Sequence, residues 1–161
     1  MSDKLLLTAN KTVTLLKEKG LKIATAESCT GGMLSSLITS VSGASSVIEL
    51  GITSYSSRIK NQVLNVKEED LRLYGAISEA TASQMAENIR KISGADIGVS
   101  VTGNAGPDSS EGKPVGLVYI GFSNVDGTAV KKLLIEPKSR QYVREEACFS
   151  LLSLIINHLN P

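Results

Sequence analysis

The stretch Leu21 to Gly32 (Leu-Lys-Ile-Ala-Thr-Ala-Glu-Ser-Cys-Thr-Gly-Gly) restricts the folds open to this chain more than any other. An apolar, β-rich run ends in small hydroxyl residues and two glycines, then passes into a helical pattern from Met33 to Ile38. That order of residues describes a crowded strand-to-helix turn. Glycine lacks a Cβ, so the chain can take positive φ there and bring its N–H groups close to a ligand. The first turn of the helix adds unpaired N–H groups and a partial positive charge, which suit an anion or an oxyanion. Ser28, Cys29 and Thr30 are candidate nucleophiles on this turn. A serine-rich turn with no chemistry would show the same local pattern, so the remainder of the chain decides.

Two further segments repeat the arrangement. Val47 to Tyr55 has strand character, with Gly51 marking a bend or close contact, and leads into a helix that starts at Ser56 or Ser57. Ala95 to Thr102 alternates Ile97, Val99 and Val101 against Asp96, Gly98 and Ser100, and a Gly-, Pro- and Ser-rich loop follows to Pro114. Around these lie an amphipathic helix from Leu5 to Gly20, a short helix from Lys67 to Tyr74, and a longer one capped by Ser78 and ended by Gly94. Val115 to Ser123 and Thr128 to Ile135 form a hairpin about Asp126-Gly127, and Ser139 caps a last helix. Alternation of this kind predicts a three-layer α/β/α sandwich with a mixed, mostly parallel sheet of about five strands. In such sheets ligands gather beyond the carboxyl ends of the parallel strands. The loops after Ala26, Tyr55 and Thr102 are therefore expected to meet at one hollow.

Composition narrows the chemistry. A chain of 161 residues without linker, repeat or low-complexity tract fits a single domain, residues 1–161. No stretch approaches a membrane span. Lys4 is followed by only a short apolar cluster before Asn10, so no export signal is read and the cytoplasm is the expected compartment. A formal net charge of +1 and the absence of Trp argue against nucleic acid as a partner. Cys29 and Cys148, far apart in a chain read as unexported, are expected to be free thiols. With His158 the single histidine, neither an ordinary structural zinc site nor a serine–histidine pair is expected. No metal or cofactor is called for.

A serine hydroxyl needs an activator, and Lys60 is the leading candidate. A lysine desolvated in a cleft can lose its proton near neutral pH and take one from serine. Tyr55, at the end of its strand, is a candidate proton relay or substrate donor. Cys29 is a rival nucleophile, since a helix N-terminus lowers a thiol pKa. Thr30 is expected to cap the helix or bond a ligand, and Glu27 to position Lys60 or sit at the rim. Gly31 and Gly32 offer backbone N–H groups to an oxyanion. Thr102, Gly103, Gly106 and Asp108 form an anion cradle or pocket wall, with Lys113, Arg140 and Arg144 as candidate phosphate contacts.

Taken together, Thr25-Ala26-Glu27-Ser28-Cys29-Thr30-Gly31-Gly32, Tyr55-Ser56 with Lys60, Gly75-Ala76-Ile77-Ser78-Glu79, Gly103 to Asp108 and Lys113-Pro114-Val115-Gly116 resemble the C-terminal domain of the competence-damage inducible protein family, the nicotinamide-nucleotide amidases. The matching pieces run in order through nearly the whole chain. The resemblance implies hydrolysis of the carboxamide of nicotinamide mononucleotide to nicotinate mononucleotide and ammonia, an α/β/α fold and a homodimer or higher homo-oligomer. It also implies Ser28 as nucleophile, assisted by Lys60 and Tyr55. Because the chain begins directly at the first helix, the additional N-terminal nucleotide-processing domain of larger members, and its activity, are expected to be absent. It also departs from the family pattern at Ser109-Ser110-Glu111-Gly112, where glycines are expected, and at Asn104, where an apolar residue is expected. Both changes bear on substrate identity. The alternatives are a non-catalytic nucleotide-binding module of the same fold and a hydrolase of another small amide.

Overall fold

The computed structural model describes residues 2–160. Its elements are α1 (Asp3–Lys19), β1 (Ile23–Glu27), α2 (Met33–Thr39), β2 (Ile48–Thr53), α3 (Ser57–Leu64), α4 (Glu68–Tyr74), α5 (Glu79–Ser93), β3 (Ile97–Gly103), β4 (Leu117–Asn124), β5 (Gly127–Leu134) and α6 (Arg140–Leu159). The strands form one five-stranded sheet in the order β2-β1-β3-β4-β5. β1 runs parallel to both β2 and β3, whereas β4 is antiparallel to β3 and to β5. The expected mixed sheet is therefore present, with its hairpin at one side.

Helices cover both faces. On one, Leu5, Val13 and Leu16 of α1, Leu34, Leu37 and Ile38 of α2, and Val143, Leu151 and Ile155 of α6 pack over Ile23, Val99 and Val101. On the other, Met85 and Ile89 of α5 and Leu64 at the end of α3 pack over Ala24 and Ala26. Alternation along β1 sends Ile23 and Ala24 to opposite sides, as the pleat requires. This makes three layers. Small residues let α5 lie close to the sheet. A Cβ on Gly98 would stand 2.1 Å from the Ala86 carbonyl, and Ser100 Oγ donates to the Ala82 carbonyl at 2.6 Å. That close approach buries the face of β3 that the alternation left polar.

The helix caps read from sequence are in place. Ser56, Ser78 and Ser139 accept from the N–H groups of Ile59, Thr81 and Tyr142. Among the described residues no helix is long and apolar enough to cross a membrane. The parallel pairing brings the carboxyl ends of β1, β2 and β3 to one edge, because Glu27 pairs with Thr53 and with Val101.

Candidate active site

The three strand ends are tied to one another before any side chain acts. The Ser28 N–H donates to the Val101 carbonyl (3.0 Å) and the Ser54 N–H to the Glu27 carbonyl (2.8 Å). Ser28 thus leaves β1 beside the β2–α3 junction, and α3 starts three residues after Ser54. One turn into α3, the Lys60 side chain runs back toward the sheet and is fully buried.

Lys60 Nζ donates to the carbonyls of Ser54 (2.7 Å) and Tyr55 (3.1 Å) and lies 2.9 Å from Ser28 Oγ. No carboxylate pairs with it among the described residues. Burial without a counter-charge lowers its pKa from 10.5 to about 8, with Cys29 and Glu111 pulling weakly the other way. The hydrogen bonding suits the neutral amine. Two N–H groups serve the two carbonyls, which leaves the nitrogen lone pair facing the serine hydroxyl.

Cys29 lies next to Ser28 yet is placed differently. It is buried, and burial raises its thiol from 9.0 to about 11, against the opposing pull of its own backbone N–H and then of Lys60, Arg140 and Arg144. At neutral pH it is a thiol. The serine, not the cysteine, has the base at hydrogen-bond distance.

Glu27 departs from expectation. It neither positions Lys60 nor sits at the rim. Its carboxylate is fully buried and turned under the loop, where Oε2 accepts from Thr30 Oγ1 (2.7 Å) and from the N–H groups of Gly32 and Leu34 (3.0 Å each). Oε1 accepts from the Ser35 N–H and the Ser35 hydroxyl, both at 2.8 Å. The protein's own carboxylate thus occupies the start of α2, where the sequence suggested room for a ligand anion. Neutralisation by N–H donors also explains how a charge can be buried there without a cation.

This changes the oxyanion donors. Gly31 and Gly32, at φ 58 and 93, shape the turn, but the Gly31 N–H is spent on the Ser28 carbonyl and the Gly32 N–H on Glu27. Thr30 gives its hydroxyl to Glu27, so it neither bonds a ligand through that group nor attacks. The N–H groups of Cys29 and Thr30 have no acceptor among the described residues. They are the donors this turn leaves available.

A cavity of about 460 Å³ opens over Ser28 and Cys29. Its walls come from Tyr55 to Ser57, from Ala76 and Ile77, from Thr102 through Glu111, and from Arg140 of α6. Thr102, Gly103, Gly106 and Asp108 are all among these lining residues, with Thr102 Oγ1 engaged with the Ala76 carbonyl (2.7 Å). Asn104, read as a departure, builds the loop: its Oδ1 accepts from the Gly106 N–H (3.0 Å) and its Nδ2 donates to the Lys113 carbonyl (3.3 Å).

Tyr55 and the cations need redrawing. The Tyr55 side chain is 60% exposed. Its hydroxyl accepts from Arg140 Nη2 (3.0 Å) and makes no hydrogen bond to Ser28 or Lys60 among the described residues; the part of Tyr55 that touches Lys60 is its carbonyl. Arg140 also donates to the Gly106 carbonyl, so one guanidinium joins two loops at the pocket edge. Arg144 donates to the Thr30 carbonyl (2.7 Å) and braces the turn from behind. Lys113 points out of the pocket, its ammonium bound to the carbonyls of Tyr74 and Ile77. Of the three candidate phosphate contacts, Arg140 alone lines the cavity.

Sequence reasoning missed the Ser54 carbonyl, the Ala76–Ile77 wall and the part Glu111 plays in it. Backbone acceptors carry no residue signature, and the wall is set by tertiary packing. Among the described residues no three His, Cys, Asp or Glu side chains come together as a metal site would require.

Comparison with known proteins agrees with this architecture. The model of the CinA C-terminal domain family matches residues 7–159. A CinA-like protein from Kosmotoga olearia is 47% identical over 150 residues, covering 92% of this chain and 36% of that protein. The chain spans about a third of the length of the curated relatives it matches. Among solved structures, the competence/damage inducible protein CihA from Agrobacterium tumefaciens superposes with a TM-score of 0.95 at 33% identity, over 100% of this chain and 98% of that one. A competence or damage-inducible protein from Enterobacter asburiae gives 0.94 at 30% identity, over 99% and 100% of the two chains. With fold, loop order and family match in agreement, the chain belongs to the CinA C-terminal domain family.

Proposed function

We propose that this domain is a serine amidohydrolase that converts nicotinamide mononucleotide to nicotinate mononucleotide and ammonia. The observation that carries the reading is the Lys60 amine, buried without a carboxylate, 2.9 Å from the Ser28 hydroxyl. In the reaction, neutral Lys60 takes the Ser28 proton as Oγ attacks the carboxamide carbon. The developing oxyanion is held by the N–H groups of Cys29 and Thr30, donors of a kind worth about a hundred-fold or more in rate. Lys60 then returns the proton to the departing nitrogen, which leaves as ammonia and gives an acyl-serine. Water, deprotonated by the same amine, cleaves the ester to the acid and restores Ser28.

A cavity of about 460 Å³ suits one small molecule. Arg140 is the cation available to an anionic group, and Gly103, Gly106 and Asp108 complete that wall. The nucleotide identity of the substrate rests on the family. On the same ground the protein is a homodimer or higher homo-oligomer; the reaction written above needs no cofactor, and a sequence read without an export signal supports the cytoplasm as its compartment. Incubation with nicotinamide mononucleotide, followed by mass detection of the acid, tests the reading. Wild-type protein forms the acid and Ser28→Ala does not.

One observation favours a second substrate class. Lys113 is bound to the Tyr74 and Ile77 carbonyls outside the lining, and Asp108 and Glu111 line the cavity with Arg140, the one cation of its wall among the described residues, a sparse charge complement for a phosphate. A hydrolase of another small amide would release ammonia from a panel of carboxamides while leaving the mononucleotide untouched.

A further inference from the structure

The β3–β4 loop carries a charged pair that acyl transfer leaves unused. Glu111 stands at φ 55, a left-handed conformation that a residue with a Cβ keeps only where its surroundings hold it. Its carboxylate accepts from the N–H groups of Ala76 (3.0 Å) and Ile77 (3.1 Å). Lys113 Nζ, 3.3 Å from the same carboxylate, donates to the carbonyls of Tyr74 and Ile77. One side chain thus satisfies two donors of the α4–α5 turn, and the other two of its acceptors.

The turn is shaped to receive them. A Cβ on Gly75 would lie 2.3 Å from Glu111 Oε2, so the carboxylate closes on bare backbone. Burial pushes Glu111 upward, but the Ile77 and Ala76 N–H groups and Lys113 outweigh it and hold its carboxyl below the usual carboxylate range. An ion pair between half-exposed side chains contributes little by itself. The weight lies in the backbone groups, which no strand or helix partner would otherwise satisfy.

Ala76, Ile77 and Glu111 all line the cavity over Ser28. This wall is the segment where the chain carries Ser-Ser-Glu-Gly in place of the glycines its resemblance leads one to expect. We propose that Glu111, with Lys113, is a positioning residue for substrate: a latch that holds the β3–β4 loop on the α4–α5 turn and fixes the outer wall of the pocket. Its loss weakens substrate capture much more than it slows acyl transfer, a kinetic consequence that rests on the amidase reading.

The latch also places a negative charge on the wall of the cavity over Ser28, whose hydroxyl meets the base. Cys29, from the turn after β1, and Glu111, from the loop, favour the charged form of Lys60 against its burial. Arg140 and Arg144 of α6 favour the thiolate of Cys29, and Asp108 and Tyr55 stand at the cavity wall. Removing the Glu111 charge therefore moves the acid limb of the pH–rate profile to lower pH, which a purely structural loss would not do.

Glu111→Gln and Lys113→Met in the full chain, measured by amide hydrogen exchange without ligand and by steady-state kinetics with nicotinamide mononucleotide, test the latch. The expected result is exchange at Ala76 and Ile77 faster by about tenfold or more, with Leu34 and Ser35 unchanged. KM should rise about tenfold while kcat stays within about twofold, and the acid limb of Glu111→Gln should move down. Unchanged exchange at Ala76 and Ile77 overturns the latch, as does a fall in kcat at constant KM. If the wild type leaves the mononucleotide intact, the amidase reading fails, and the exchange data alone decide for or against the latch.

Discussion

The two sides of the Ser28 pocket are built by opposite means. The turn from Glu27 to Met33 is held mainly from within, by a buried carboxylate whose partners all lie within eight residues, with Arg144 of α6 bracing it at the Thr30 carbonyl. The loop from Asn104 to Lys113, beyond the bonds Asn104 makes inside it, is held from outside: Glu111 and Lys113 tie it to backbone 34 to 39 residues away, and Arg140 clasps Gly106 from another helix. A reacting hydroxyl must be kept within tenths of an ångström of its base, and a short buried network does this at little entropic cost. A wall that only has to bound the pocket tolerates looser support. The division teaches that damage to the first side should appear in kcat and damage to the second in KM.

The sharpest way to break that division is Ser28→Ala. It removes the attacking oxygen and should lower ammonia release by roughly 10⁴-fold or more, with the melting temperature and nucleotide binding by calorimetry nearly unchanged. Activity retained in this variant would assign the chemistry to another residue. Next is Lys60→Met, which should cost roughly 10³-fold or more in kcat. In the wild type the sign of the pH effect is fixed by the lowered pKa. The amine is protonated and idle below about 8 and free to accept a proton above it, so kcat/KM should rise through that value. A rate flat across this range would remove Lys60 as the base.

Glu27→Gln sharpens the comparison from the buried side. An amide NH₂ placed among N–H and O–H donors loses acceptors and adds a donor, so the variant should lose roughly 2–3 kcal/mol of stability. Its kcat should fall about a hundred-fold while KM holds, and chemical denaturation with parallel kinetics would show both. The smallest effect is expected from Cys29→Ala. A buried thiol beside the serine gives up only packing, so activity should stay within about threefold. A large loss in an ammonia-release assay would return Cys29 to the list of nucleophiles.

Much of the layout was legible in the chain. The β-run, small-residue turn and helix at Leu21 to Ile38, the three serine caps and the Asp126-Gly127 hairpin are local signals, and the structure carries each of them. The pairing of Ser28 with Lys60 was also within reach, because parallel strands bring their carboxyl ends together and a helix places its fourth residue one turn on. Other features were not legible. A glutamate in a serine-rich turn reads equally as a partner for Lys60 or a residue at the rim, and only the approach of α2 decides that Glu27 is buried. Lys113 and Arg140 look alike as exposed cations in sequence. Their opposite directions follow from where the α4–α5 turn and α6 happen to pack, which no local pattern records.

The central claim is that Ser28 is activated by an amine that has shed its proton. Covalent labelling of the full chain by a fluorophosphonate, followed by peptide mapping across pH 6 to 10 (a range spanning roughly two units on either side of the Lys60 titration), tests it without presuming a substrate. The account predicts a phosphonyl group on Ser28, formed at a rate that rises through about pH 8 in the wild type and falls sharply in Lys60→Met. Modification of Cys29 in place of Ser28, or a Ser28 rate indifferent to both pH and Lys60, would contradict it.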